Sequence, residues 1–187
     1  MSTPARRFLF LLSSTRRLGN TEQLAYYAAH HLPAHVEQQW LYLLDHPLPD
    51  FVDLRHSGVY PPPSGNARLL LEATMQATDL VLVSPLYWYS LSVPAKLYLD
   101  YWSAWLRAPG LEFRTKMTGK TLWVITASSG PRPEAQPLED SLKLSANYMQ
   151  MHWGGMLFGT GSRPNDIQLD TKALHRAKSY FRAVGER

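Results

Sequence analysis

Arg7-Phe8-Leu9-Phe10-Leu11-Leu12 runs directly into Ser13-Ser14-Thr15-Arg16-Arg17-Leu18-Gly19-Asn20-Thr21, and that junction decides how the chain is read. Residues 7–12 form a continuous apolar run, the pattern of a short strand buried on both faces of a parallel sheet. Leu24, Ala28 and Leu32 then recur at helical spacing over 21–32. Between strand and helix, small hydroxyl residues allow backbone N–H groups to converge on an anion, and Gly19 frees the turn. Asn20 and Thr21 are placed to cap the helix, whose first turn carries free N–H groups and positive dipole character. The junction is therefore a phosphate cradle in outline. The same residues also suit a plain strand–turn–helix connection, and the loop alone favours the cradle only modestly. Its spacing is neither G-x-x-x-x-G-K-S/T nor G-x-G-x-x-G, which argues against ATP hydrolysis and against a dinucleotide fingerprint.

Outward from this junction, short apolar runs alternate with longer helical patterns. Residues 35–43 read as a more exposed strand with Val36, Trp40 and Tyr42. Residues 45–65 hold five Pro and two Gly and read as a long loop. A helix is expected over 66–77, a buried strand over 79–84, an aromatic-rich helix over 93–107 and a buried strand over 121–127. A Pro-rich loop at 131–137, a helix at 138–152, a short strand at 155–159 and a closing helix at 170–184 complete the order. Strands alternating with helices in this way specify an α/β fold, a parallel sheet with helices on both faces. No repeat or composition break divides the 187 residues, so a single domain spanning 1–187 is expected.

Ligands of such sheets bind beyond the carboxyl ends of the strands. The loop after the third strand reads Ser84-Pro85-Leu86-Tyr87-Trp88-Tyr89-Ser90-Leu91-Ser92-Val93-Pro94-Ala95-Lys96-Leu97-Tyr98-Leu99-Asp100. Pro85 stops ladder pairing, and the aromatic cluster behind it offers flat apolar walls of the kind planar ligands favour. Core packing is the ordinary reading of Tyr87 and Trp88, and a surface i, i+4 ion pair that of Lys96 and Asp100. The loop after the fourth strand, Thr126-Ala127-Ser128-Ser129-Gly130, is small and polar enough for close backbone approach.

The first of these loops resembles the G-S-x-R-x-x-G-N-T phosphate loop of the flavodoxin-like NAD(P)H-dependent FMN and quinone reductases. Ser14, Arg16, Gly19, Asn20 and Thr21 match it, and Ser13 stands where the family has Gly. The second is similar to the family's P-x-Y-W…P-x-x-L-K…D signature at Pro85, Tyr87, Trp88, Pro94, Lys96 and Asp100, with one residue between Pro94 and Lys96 where some members have two. The likeness extends over about residues 7 to 160. It implies a flavodoxin-like, doubly wound, five-stranded parallel sheet of order 2-1-3-4-5. It also implies FMN as cofactor and NADPH or NADH as electron donor. Ser14, Arg16, Asn20 and Thr21 would hold the phosphate, Pro85, Leu86, Tyr87 and Trp88 would frame the ring, and Ser128, Ser129 and Gly130 would meet its pyrimidine edge. Arg16 or Arg17 could instead read a 2′-phosphate of the donor.

The rest of the composition narrows the function further. There is no Cys, which excludes disulfides, thiolate metal sites, iron–sulfur clusters and a Cys nucleophile. The net charge of +4 is spread with no basic run longer than two residues, so no nucleic-acid stripe is expected. Phe8–Leu12 is shorter than a signal-peptide core or a membrane span, and a cytoplasmic protein is expected. Seven His show no metal spacing, and His30-His31 reads as a cationic helix end. Asp45, Asp50 and Asp53 read as a solvated loop. Tyr98, Tyr101, Trp102 and Trp105 make the 93–107 helix apolar nearly all round, which suggests a subunit interface and agrees with the dimers and tetramers common in the family. The expected activity is an FMN-dependent NAD(P)H oxidoreductase passing hydride to a quinone, flavin, azo or nitro acceptor. A flavodoxin-type electron carrier and a flavin-free binding module on the same fold are the alternatives.

Overall fold

The computed structural model describes residues 5–182. Five strands, β1 (Arg7–Leu12), β2 (Glu37–Tyr42), β3 (Asp79–Val83), β4 (Thr121–Ser128) and β5 (His152–Thr160), form one sheet in the order β2-β1-β3-β4-β5. Every pairing is parallel. The central strands β1, β3 and β4 are buried almost throughout, which is why they read as unbroken apolar runs. Edge strand β2 is exposed over Glu37–Gln39 and half-buried beyond, hence its mixed sequence.

Alternation along the strands splits the core into two layers. Leu9, Leu11, Leu80, Leu82, Leu122 and Val124 face α2 (Gly65–Gln76), α3 (Val93–Trp105) and α5 (Gln136–Tyr148). Phe8, Phe10, Val81, Val83, Trp123 and Ile125 face α1 (Asn20–Ala29) and α6 (Thr171–Ala177). A short helix α4 (Phe113–Met117) and 3-10 turns at Arg132–Ala135, Asp166–Leu169 and Tyr180–Arg182 complete the described chain.

Several boundaries differ from the sequence reading. Helix α5 begins at Gln136 and ends at Tyr148, and β5 begins at His152 rather than 155. Gly154 explains the late reading: it sits in a bulge opposite Trp123, where a Cβ would lie 2.3 Å from the indole. Gly155, at φ +118°, lets the strand resume. The closing helix stops at Ala177 and continues as a 3-10 turn to Arg182, and the last expected residues, 183–184, lie outside the described part.

The amino-terminal sheet edge holds a buried ion pair of structural character. Asp79 accepts from Arg6 at 2.5 Å, from the Trp123 indole at 2.9 Å and from Thr78 Oγ1 at 2.7 Å. The opposite edge, where the strands end, carries the candidate site.

Candidate functional site

At the end of β1, Ser13 is fully buried and its Oγ donates to Val83 O at 3.1 Å. Ser14 Oγ accepts from the Arg16 N–H at 3.1 Å, making a tight hydroxyl turn. Leu18 adopts φ +52°. That left-handed residue is held on both sides: its N–H donates to Glu22 Oε2 at 2.7 Å, and its carbonyl accepts from Gln23 Nε2 at 2.7 Å. Glu22, only 2% exposed in the first turn of α1, also accepts from the Tyr42 hydroxyl at 2.5 Å. Burial and its Glu22 and Tyr26 partners push the Tyr42 hydroxyl well above the usual phenol range, so it remains a donor to Glu22.

The N-cap of α1 is Gly19, with no side-chain capping bond. The first-turn N–H groups of the helix therefore face the loop without a side chain to meet them. Asn20, expected as a cap, is engaged elsewhere. Its Nδ2 donates to Arg163 O at 2.9 Å and its Oδ1 accepts from Ile167 N at 3.3 Å, tying α1 to the segment after β5. Gly161 makes room for it, since a Cβ there would lie 2.7 Å from Asn20 Nδ2.

The two neighbouring arginines part company. Arg17 pairs with Asp45, and its guanidinium lies 3.6 Å from the Tyr42 ring centroid. Arg16 is exposed and makes no ion pair among the described residues, so it is the cation of this loop available to an incoming anion.

After β3, Ser84 and Pro85 are buried and the chain rises into an exposed hairpin. Tyr87 and Ser90 exchange both backbone hydrogen bonds, at 3.1 and 3.0 Å. Between them Trp88 (φ +50°) and Tyr89 (φ +63°) are both left-handed. This is the dihedral pattern of a type I′ turn, which normally demands Asn-Gly. Two large aromatics in that role carry backbone strain, and such strain clusters at ligand clamps. Trp88 is 93% exposed, and Tyr87 and Tyr89 about half. Core packing is thus not their role here.

A buried hydroxyl chain links this loop to the first. Ser92 Oγ lies 2.8 Å from Ser13 Oγ and 3.0 Å from Ser13 O, and the Ser92 N–H donates to Ser84 Oγ at 2.9 Å. Ser13, which replaces the resembled family's Gly, is a working member of the chain. The Leu86 N–H donates to Ala127 O, bringing in the third loop, and the Gly161 N–H donates to Ser128 O. In that third loop Ser129 is exposed, and Glu134 fills the space beside Gly130: a Cβ at 130 would lie 2.1 Å from its carboxylate. Ser14, Arg16, Asn20, Thr21, Pro85, Leu86, Tyr87, Trp88, Ser128, Ser129 and Gly130 thus all fall at one sheet edge. Ser84, Ser92, Glu22 and Glu134 join them unannounced by sequence; the Ser92 partner Ser13 lies 79 residues away, while Glu22 and Glu134 serve neighbours only four residues off, Leu18 and Gly130.

Other expected features sort out differently. Lys96 and Asp100 form a surface i, i+4 ion pair at 2.5 Å. Tyr98, Trp102 and Trp105 are buried within this chain, so most of the aromatic content of α3 is core and does not by itself present an interface. Tyr101 is half-buried and donates to Pro49 O at 3.0 Å. Burial, with His30, Lys178 and Arg182 nearby, lowers the His31 pKa, which works against the cationic helix end expected at His30-His31. Among the described residues no group of three or more acidic or His side chains is placed to hold a metal ion, and no helix is long and apolar enough to cross a membrane.

An uncapped helix start with hydroxyls and a free guanidinium fits a phosphate, and exposed rings beside it fit a planar system. Glycine and serine at the third loop leave room for a polar ring edge. These residues fit FMN. Fold and site together define a flavodoxin-like protein with its candidate ligand loops at the carboxyl edge of the sheet. Residues 6–158 match the family of NADPH-dependent FMN reductases, and the chain belongs to that family. Membership makes it an oxidoreductase working with FMN and NAD(P)H. It is 32% identical over 166 residues to YwqN of Bacillus subtilis (strain 168), provisionally named an NAD(P)H-dependent FMN-containing oxidoreductase, covering 87% of this chain and 90% of that one. The solved Trp repressor binding protein of Bacillus subtilis superposes with a TM-score of 0.74 at 27% identity, over 92% of this chain and 96% of that one. The NAD(P)H:quinone oxidoreductase of Methanothermobacter marburgensis shares the fold, with a TM-score of 0.72 at 14% identity and 95% of both chains covered.

Proposed function

We propose that the protein transfers hydride equivalents from NAD(P)H through FMN to small organic acceptors of the quinone, flavin or azo type. The observation that carries this is the lacing of a phosphate cradle and an exposed aromatic hairpin at one sheet edge by Ser13, Ser84 and Ser92. The start of α1, Ser14, Thr21 and Arg16 hold the phosphate. Asn20 acts behind them by anchoring α1 to residues 163–167. Pro85, Leu86, Tyr87 and Trp88 frame the ring, and Ser128, Ser129 and Gly130 meet its polar edge. FMN held by these residues would supply two-electron chemistry between NAD(P)H and a second substrate, and ping-pong turnover is the expected kinetic pattern. The chain's contribution is binding, orientation and electrostatics, and no side chain is assigned as acid or base.

The same reading extends to the whole molecule: one domain, cytoplasmic, assembled as a homodimer or homotetramer. Leu144 (70% exposed) and Tyr148 (60%) flank a groove with Leu99 and Leu106 between α3 and α5, an apolar surface that supports self-association. The deciding experiment is the visible spectrum of protein loaded with FMN and desalted, then given NADPH without oxygen. Retained flavin that bleaches within the mixing time is expected. Retained flavin that stays oxidised would replace the reductase with an electron carrier, and failure to bind FMN at all would leave a flavin-free module.

A further inference from the structure

The Pro-rich segment between β2 and α2 folds against α3 and borders a half-open cavity of about 310 Å³. Four rings line it, those of Phe51, Tyr60, Tyr101 and Trp105, and Ala104 keeps the helix side open. Pro61–Pro63 form one wall, stiff because each ring fixes its own backbone. The cavity shares no residue with the three ligand loops. Its size and its mostly apolar lining are those of a small-molecule site.

The walls are preformed. Tyr101 donates to Pro49 O at 3.0 Å. Tyr60 Oη accepts from the Leu54 N–H at 3.0 Å and donates to Asp53 at 3.2 Å, while Asp53 is gripped by Arg55 at 2.8 Å. Phe51 and Tyr60 stack with centroids 6.3 Å apart.

One polar group in this lining is unmet. Trp105 is 1% exposed, and its Nε1–H has no acceptor among the described residues. The buried Trp123 shows the contrast, since its N–H donates to Asp79 at 2.9 Å. Trp102 has an unmet N–H too, but it lines the groove toward α5 and not this cavity. A buried donor without a partner is costly to the fold; the Trp105 Nε1 is sealed as the lining stands, so a ligand acceptor satisfies it by displacing the side chains over it. Asp50, also in the lining, discourages anions. We infer that the cavity between the Pro-rich loop and α3 is a second binding site, apart from the flavin loops, for a flat, neutral, fused-ring molecule bearing a carbonyl acceptor.

Coumarin, a planar bicyclic lactone, is the probe. It is titrated into the full-length protein saturated with FMN, and the indole N–H resonances are followed by NMR, that of Trp105 being assigned from Trp105→Phe. A saturable downfield shift of the Trp105 resonance at up to millimolar coumarin is expected, with Trp88 unmoved. Ala104→Leu, which fills the cavity from α3, is expected to weaken the response at least tenfold (roughly the loss from blocking a good apolar contact). Ala67→Leu fills it from the α2 side and serves if the first variant does not fold. A Trp105 resonance that never moves overturns the site. So does a shift that survives both fillings, or one that appears only when FMN is left out. The site stands whether or not FMN is reduced by NADPH, so its failure and that of the reductase reading are separable.

Discussion

Helices α1 and α6 pack side by side on one face of the sheet and both start from its carboxyl edge, yet their N-termini are finished in opposite ways. At α6, Asp170 accepts from the Ala173 N–H at 2.9 Å and the Thr160 N–H at 2.8 Å. Just before it, Asp166 accepts from the N–H groups of Ser162 and Arg163 at 3.0 and 2.7 Å. The protein's own carboxylates complete that end. At α1 the cap position is Gly19, and hydroxyls surround it together with Arg16, which has no ion pair among the described residues. Other helices here also lack a side-chain cap; what sets α1 apart is the cation and hydroxyl turn gathered around the gap. The contrast supports the proposed anion site at α1, whereas at α6 the protein's own Asp170 takes the cap position.

Converting one end into the other gives the largest expected effect. Gly19→Asp supplies α1 with a carboxylate cap, and Gly19 has φ −70° and only a 3.4 Å approach to Arg16 O, so the backbone tolerates it. The carboxylate repels and displaces a phosphate, and FMN affinity measured by fluorescence quenching is expected to fall about 100-fold, roughly 3 kcal/mol, with no loss in Tm. An unchanged affinity would break the comparison.

Replacing Trp88-Tyr89 by Asn-Gly comes next. Relief of two left-handed aromatics should stabilise the fold by about 2 kcal/mol in urea titrations, while FMN binding weakens through loss of the ring wall. Arg16→Ala is expected to cost FMN binding about 1.5 kcal/mol, the value of a charge-assisted hydrogen bond, and to flatten its salt dependence. Arg17→Ala, which loses only the Asp45 pair and the Tyr42 stack, should leave affinity nearly unchanged.

The α6 end should respond in stability alone. Asp170→Ala is expected to cost about 1 kcal/mol without altering FMN affinity. Burial raises the Asp170 carboxyl, but the N–H groups of Ala173 and Thr160 and the charge of Arg176 outweigh it, and the pKa is lowered. A lowered folded pKa means that the stabilisation is fully present above the unfolded value near ~4. It is lost as pH falls through the lower, folded value. Asp170→Asn keeps an acceptor oxygen without the charge, so its stability in thermal melts should depend less on pH over that acid limb than the parent's.

These two helix ends also mark where sequence was and was not enough. The buried strands were readable because a strand covered on both faces must be apolar at every position, as Phe8–Leu12 and Leu80–Val83 are. The hydroxyl loop and the aromatic hairpin were readable as a pair because each carries a dense local pattern. Asn20 was misread as a cap because helix-start chemistry is local, while its actual partners, Arg163 and Ile167, lie more than 140 residues away. Trp102 and Trp105 suggested an interface because periodicity reports that a face is apolar and not what covers it; here their own core does. The start of β5 was hidden by Gly154, whose reason for being there is the Trp123 ring on the next strand. Ser84 and Ser92 look like ordinary loop serines until β1 and β3 are known to be neighbours.

That neighbourhood has a dynamic consequence. The hydroxyls of Ser13, Ser84 and Ser92 are sealed from water, so neither ligand loop can lift from the sheet without stranding donors that belong to the other. The two loops are therefore expected to open as one event, read as a single rate in amide exchange. An inorganic phosphate bound at α1 would slow exchange at Leu91 and Ser92, residues it never touches, and the aromatic hairpin would be steadied before any ring arrives to meet it.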